Sequence, residues 1–150
     1  MYRFLLPALL LAIGTLVCAA SPAYADFSAC ASAFEAKDQH QKIDLYTSCL
    51  KHGGLASTDV AGAFNNRGIA YENLGEIDKA LQDYISATQY DPGWPNFRMN
   101  RARAEARKGQ CPEALADLKA LQKMAPHRKE FEAIVAQIQT ACPVDSKPAT

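Results

Sequence analysis

The sequence repeats itself with a period of 34 residues, and this limits the possible folds more than any other feature. Laid over residues 95–128, residues 61–94 coincide at eight of 34 positions. The pairs are Asn66 with Asn100, Arg67 with Arg101, Ala70 with Ala104, Gly75 with Gly109, Ala80 with Ala114, Leu81 with Leu115, Asp83 with Asp117 and Pro92 with Pro126. Unrelated segments would share about two. A period of this length is one supersecondary unit, and such units bury their apolar faces only against each other. Apolar residues recur at helical spacing, and no stretch shows strand alternation bounded by turns. The fold class is therefore all-α.

Residues 64–92 carry a more specific pattern. Phe64, Gly68 and Tyr71 are followed by Ala80, Tyr84 and Pro92 at fixed offsets. Small residues at 68 and 80 let two antiparallel helices approach closely, and the aromatic residues fill the space around that contact. This segment resembles the tetratricopeptide repeat family, whose unit has large and small residues at these offsets. Arg67 departs from the family's leucine, on a face that must then be partly exposed. The next unit, 95–126, is more degenerate, with Ala102, Glu105 and Leu118 at family positions, but Gly109, Ala114 and Pro126 keep the beat. The resemblance implies a right-handed α-solenoid of three antiparallel helix pairs plus a C-terminal capping helix.

The first unit, about 26–56, aligns Ile43–Leu50 with Leu81–Thr88 at an offset of 38, the extra residues falling in the loop around Gly53 and Gly54. Its first helix is expected to bury a stripe of Phe27, Cys30 and Phe34. The second and third units span 61–94 and 95–126. The cap, 127–142, presents Phe131, Ile134, Val135 and Ile138 on one side, and residues 143–150 read as a flexible polar tail.

Residues 1–25 read as a secretory signal peptide: Arg3, an uncharged Leu-rich stretch from Phe4 to Val17, then Ala23-Tyr24-Ala25 as a cleavage site. The apolar stretch contains Pro7 and Gly14 and falls short of the roughly 20 residues needed to span a bilayer. No stable membrane insertion is expected after cleavage, and the location is periplasmic or secreted. Cleavage leaves four cysteines in an oxidising compartment, with three possible pairings. The helical layout favours Cys30 with Cys49 and Cys111 with Cys142, each stapling one end of the stack. Such loop closures are worth about 3 kcal/mol each.

Lys+Arg and Asp+Glu are both 16, so the chain has no basic excess with which to neutralise phosphates, and nucleic acid is not expected as a partner. No nucleophile motif, phosphate-cradling glycine loop or zinc signature occurs, so neither an enzyme nor a cofactor or metal protein is expected. His40, His52 and His127 read as surface histidines. Glu72 and Glu76 read as solvated carboxylates, and Arg98, Arg101, Arg103, Arg107 and Lys108 mostly as a solvated face with Arg101 supported by Glu105.

The resemblance implies a non-catalytic adaptor that holds a protein or peptide in the groove lined by the first helix of each pair. Carried over by position, the groove residues are Gly62, Asn65, Ile69 and Glu72, then Asn96, Met99, Arg103 and Ala106. Some members of the family clamp a terminal carboxylate there. Only Asn65 and Arg103 suit that chemistry, and Arg107 is expected to lie off the groove. The alternative is a secreted module binding a small or polymeric envelope ligand, such as a cell-wall fragment. The exported protein is predicted to begin at Asp26 with two disulfides and no free thiol. Intact mass before and after reduction checks both parts; two titratable thiols in the unreduced protein would refute the second.

Overall fold

The computed structural model describes residues 22–52, 54–126 and 128–143. The expected leader up to Ser21, Gly53 of the first loop, His127 and the tail from 144 lie outside the described residues, as do the side chains of Phe27 and His52. Among the described residues seven α-helices follow one another: α1 Pro22–Glu35, α2 Gln39–His52, α3 Ser57–Asn73, α4 Ile77–Tyr90, α5 Pro95–Arg107, α6 Cys111–Met124 and α7 Glu132–Ala141. No strand occurs among the described residues. The expected cleavage bond after Ala25 falls in the first turn of α1.

The helices pair α1 with α2, α3 with α4 and α5 with α6; α2 meets α3, α4 meets α5, and α7 packs on α5 and α6. A three-residue 3₁₀ turn, Lys129–Phe131, precedes α7, so the cap starts later than its apolar stripe suggests. Phe131 and Ile138 are buried while Ile134 and Val135 pack at the edge of the same cluster. Among the described residues, no helix is long and apolar enough to cross a membrane.

The 34-residue beat has a backbone cause in the turns. Gly75 and Gly109 both lie in the left-handed region, at φ 78° and 74°, which an L side chain enters at a cost. Each sits just past its helix. The N–H of Glu76 reaches the Tyr71 carbonyl and that of Gly75 the Glu72 carbonyl, while Gln110 and Gly109 bond Glu105 and Ala106 in the same way. These paired bonds satisfy carbonyls that the helix end leaves unpartnered and reverse the chain.

Packing within the central pair depends on a missing side chain. A Cβ on Gly68 would stand 2.8 Å from Cε1 of Tyr84 and 3.2 Å from the Ala80 carbonyl oxygen. Tyr84 is wholly buried, so its ring has no room to yield. The first unit differs from expectation. Ala33, not Phe34, is buried against α2, beside the Cys30–Cys49 disulfide, whose Cα atoms are 5.3 Å apart. That close approach admits an alanine, and Phe34 is turned out at 75% exposure. The other disulfide, Cys111–Cys142, ties the start of α6 to the end of α7, with Cα atoms 5.2 Å apart.

Arg67 and Arg101, one period apart, make the same latch. Arg67 donates from Nε and Nη2 to the two oxygens of Asp83, both at 2.8 Å, and from Nη1 to Thr47 Oγ1 at 2.9 Å. Arg101 donates from Nε and Nη2 to Asp117, both at 2.6 Å, and from Nη1 to Thr88 Oγ1 at 2.7 Å. Each guanidinium thus joins its own helix pair to the second helix of the pair before. Arg98 adds a third bond to Asp117, at 3.1 Å. Arg98 and Arg101 are therefore not part of a solvated face: pairing with Asp117 draws these two inward, while Arg107 stays half exposed.

Glu105, expected as a support for Arg101, stands 3.7 Å from it and is buried, with Oε2 lacking a hydrogen-bond partner. Burial first, and the Asp117 charge second, push its carboxyl up to about 7. The folded chain therefore holds a proton that the unfolded chain releases from about pH 4.5 upward, and stability falls as pH rises through that window. Glu105→Gln should remove this fall, a difference of up to about 3 kcal/mol between pH 5 and 8 by urea melts. Parallel pH profiles for the two proteins would mean that Glu105 folds ionised. Gly68→Ala should destabilise by about 1–2 kcal/mol, because the Tyr84 clash outweighs the helix propensity gained. A gain in urea midpoint would refute the close contact.

Candidate functional site

The first helices of the pairs, α3 and α5, are joined along one side by polar bonds. Asn100 Nδ2 donates to Asn65 Oδ1 at 2.7 Å, and Asn65 Nδ2 to Asn66 Oδ1 at 3.3 Å. Asn65 and Asn100 are both buried, so Asn65 is a strut between helices rather than a free donor for a ligand. Met99 packs against the α5–α6–α7 core cluster, and Ala106 is buried in it. Asn96 accepts a bond from Arg128 at 3.4 Å. Of the expected groove positions, Gly62 and Ile69 remain open. A Cβ on Gly62 would meet nothing within 4 Å, and Ile69 is 36% exposed.

Three open clefts meet at Asn66, one turn from each of these two residues. One holds Phe34, Tyr46, Thr58 and Gly62, and the second Phe34, Lys42, Tyr46 and Ile69. The third, of about 380 Å³, lies between α3 and α5 and includes Gly62, Asp91, Trp94 and Phe97. Phe34 and Trp94, both more than half exposed, flank this surface from either side. Asn66, Phe34, Tyr46 and Trp94 were not expected here from sequence. Helical spacing assigns Phe34 to the core, and Trp94 stands in the turn before α5, where periodicity carries no information.

The other end of α3 is ionic. Glu72 accepts from Arg103 Nε at 3.2 Å and Nη2 at 2.9 Å, from Arg107 Nη1 at 2.9 Å and from the Tyr84 hydroxyl at 2.7 Å. Its side chain is 11% exposed, so it is not a solvated carboxylate. Burial would raise its carboxyl, but the bonds from Arg103, Tyr84 and Arg107 hold it below the usual carboxylate range. Burial, with the facing Glu72 charge, pushes the Tyr84 hydroxyl far up, so it donates rather than ionises. Arg107 shares Glu72 with Arg103 and does not lie off the groove, because one helical turn along α5 carries it to the same carboxylate. Lys108 pairs with Asp78, so all five cations between Arg98 and Lys108 have carboxylate partners inside the chain. Glu76 pairs with Lys79. Among the described residues, no three His, Cys, Asp or Glu side chains gather as a metal site.

Comparison with known proteins agrees with this geometry. The tetratricopeptide repeat model matches residues 61–93. A Dictyostelium discoideum protein, DnaJ homolog subfamily C member 7 homolog, is 23% identical over 108 residues, 72% of this chain but only 20% of that protein. Among solved structures, the Arabidopsis OM64 TPR domain is 20% identical with a TM-score of 0.64, covering 79% of this chain and 95% of its own. The second TPR domain of human RPAP3, solved with the HSP70 peptide SGPTIEEVD, is 21% identical with a TM-score of 0.65 and the same coverage. The Yersinia enterocolitica type III secretion chaperone SycD, in complex with a peptide of the translocator YopD, is 17% identical with a TM-score of 0.60, covering 80% and 88%. With its repeated turns and helix pairs, the chain has the fold of the solved TPR domains, and its central unit, residues 61–93, matches the tetratricopeptide repeat.

Proposed function

We propose that this chain is a non-catalytic adaptor that works in an oxidising compartment outside the cytoplasm and holds a protein segment in the groove beside α3. The observation that carries this reading is the meeting of three open clefts at Asn66, between the exposed side chains of Phe34, Ile69 and Trp94. Exposed apolar side chains rimmed by polar groups mark surfaces that associate. An extended segment can place successive side chains in such neighbouring clefts, whereas a small ligand needs one concave site that encloses most of its surface. This favours a protein segment over a small envelope ligand. The human RPAP3 domain and the Yersinia chaperone, each solved with a peptide, support the same class of partner. The leader-like N-terminus and the two disulfides support the compartment.

Gly62 offers a direct test. It lies inside α3 at a helical φ with open space above it, so a large side chain there blocks the groove without strain. Gly62→Trp should keep or raise the melting temperature, since glycine costs a helix interior about 1 kcal/mol. A photo-crosslinking residue at Ile69 should capture a protein partner in the exporting cell, and Gly62→Trp should abolish that capture. A crosslinker at Lys119, exposed on α6, serves as the control. Capture that is equal from both positions and indifferent to Gly62→Trp would sink the groove reading.

A further inference from the structure

We propose that Glu72 is an internal occupant of the groove's cationic end, and that it restricts the partner to an uncharged or basic segment without an anionic terminus. This rests on the groove reading above and adds what the groove selects. Arg103 presents a planar fork, the geometry that suits a carboxylate. Both oxygens of Glu72 already fill that fork, at 3.2 and 2.9 Å. Arg107 and Tyr84 complete the set, so Oε1 and Oε2 each accept two bonds. A carboxylate accepts about four such bonds, and Glu72 therefore has no unmet demand.

To engage the Nε–Nη2 edge of Arg103, an incoming carboxylate would have to displace Glu72 and leave that buried charge facing a second one. Like charges in a partly desolvated place repel, and a carboxylate without its partners is costly. The apolar space beside the cluster, about 170 Å³ floored by Ala106, Ile138 and Ala141, takes a side chain more readily than a charge. The remaining charges of the clefts point the same way: Asp59 and Asp91 line them with Lys42 as the one cation among the lining residues. Complementarity of charge then favours a neutral or basic segment and disfavours an acidic one.

The test is fluorescence anisotropy with two labelled twelve-residue probes that share an apolar sequence. One ends in Asp-Asp with a free carboxylate; the other ends in Lys-Lys with an amide. The wild type should bind the basic probe at least about tenfold more tightly, ~1.4 kcal/mol. Glu72→Gln keeps an acceptor for Tyr84 but frees the arginine fork, so the acidic probe should gain at least about tenfold. Adding Arg103→Ala should remove the gain. Equal affinity of the acidic probe for wild type and Glu72→Gln overturns the inference and leaves the groove reading standing if the basic probe binds. Failure of both probes with every form counts against the groove itself, and so against this inference as well. Should Glu72→Gln not fold, the wild type still decides: adding acetate should leave the Arg103 Nε–Hε resonance in place, and a saturable shift would overturn the role given to Glu72.

Discussion

Two guanidiniums, on Arg67 and Arg101, fix how each helix pair sits on the next, and the groove follows from that placement. Each uses Nε and Nη2 to grip an aspartate on the partner helix and Nη1 to reach a threonine on the previous pair. An arginine can do this because its donors lie in one plane at fixed angles. Removing one member of such a pair leaves a largely buried charge alone, at a cost of about 3–5 kcal/mol, whereas apolar packing of the same volume would hold the helices equally well. What the latch adds is register. Arg101 ties α5 to α4, the partner of α3, on the same stack in which Glu72 of α3 meets Arg103 of α5.

Stability is distributed along the stack in several small clusters rather than one core. Ala80, Tyr84 and Ala104 form one, Ala61, Ala87 and Phe97 a second, and each end has its own. A repeat protein is held by its neighbours, and a terminal unit has a neighbour on one side only. The disulfides fall at those ends, Cys30–Cys49 in the first pair and Cys111–Cys142 between the third pair and the cap. They restrict the unfolded chain where the folded one has least to hold it.

The helix pairs were legible in the sequence because their causes are local. Gly75 and Gly109 mark turns that need a positive φ, and Gly68 and Ala80 mark a close approach whatever lies around them. The site was far less legible. Glu72 and Arg103 are 31 residues apart, and nothing in their spacing says that they touch. Arg67 and Asp83 stood out as repeated identities, yet repetition alone does not say that two residues bond each other. Asn65 has the right chemistry for a ligand but the wrong burial, because Asn100 takes its carbonyl oxygen. Phe34 followed the helical period and still faces outward, since the disulfide and Ala33 claim the inner side of α1.

The formal charge of zero acquires a structural meaning from these pairings. A run of five cations on and just after α5 reads along the chain as a mostly solvated face. In the fold, Asp117 takes Arg98 and Arg101, Glu72 takes Arg103 and Arg107, and Asp78 takes Lys108. The cations thus act between helices. Two of these acids are more than nine-tenths buried or close to it, where an ion pair is screened little by salt, while Asp78 is exposed and its pair is weak. These charges are therefore committed to contacts between helices, and the groove proposed for the partner lies on the surface around Gly62, Asn66 and Ile69. On the proposed groove reading, shape and apolar contact combine there with the acidic side chains of Asp59 and Asp91, and the carboxylate that fills the Nε–Nη2 edge of Arg103 disfavours an anionic terminus.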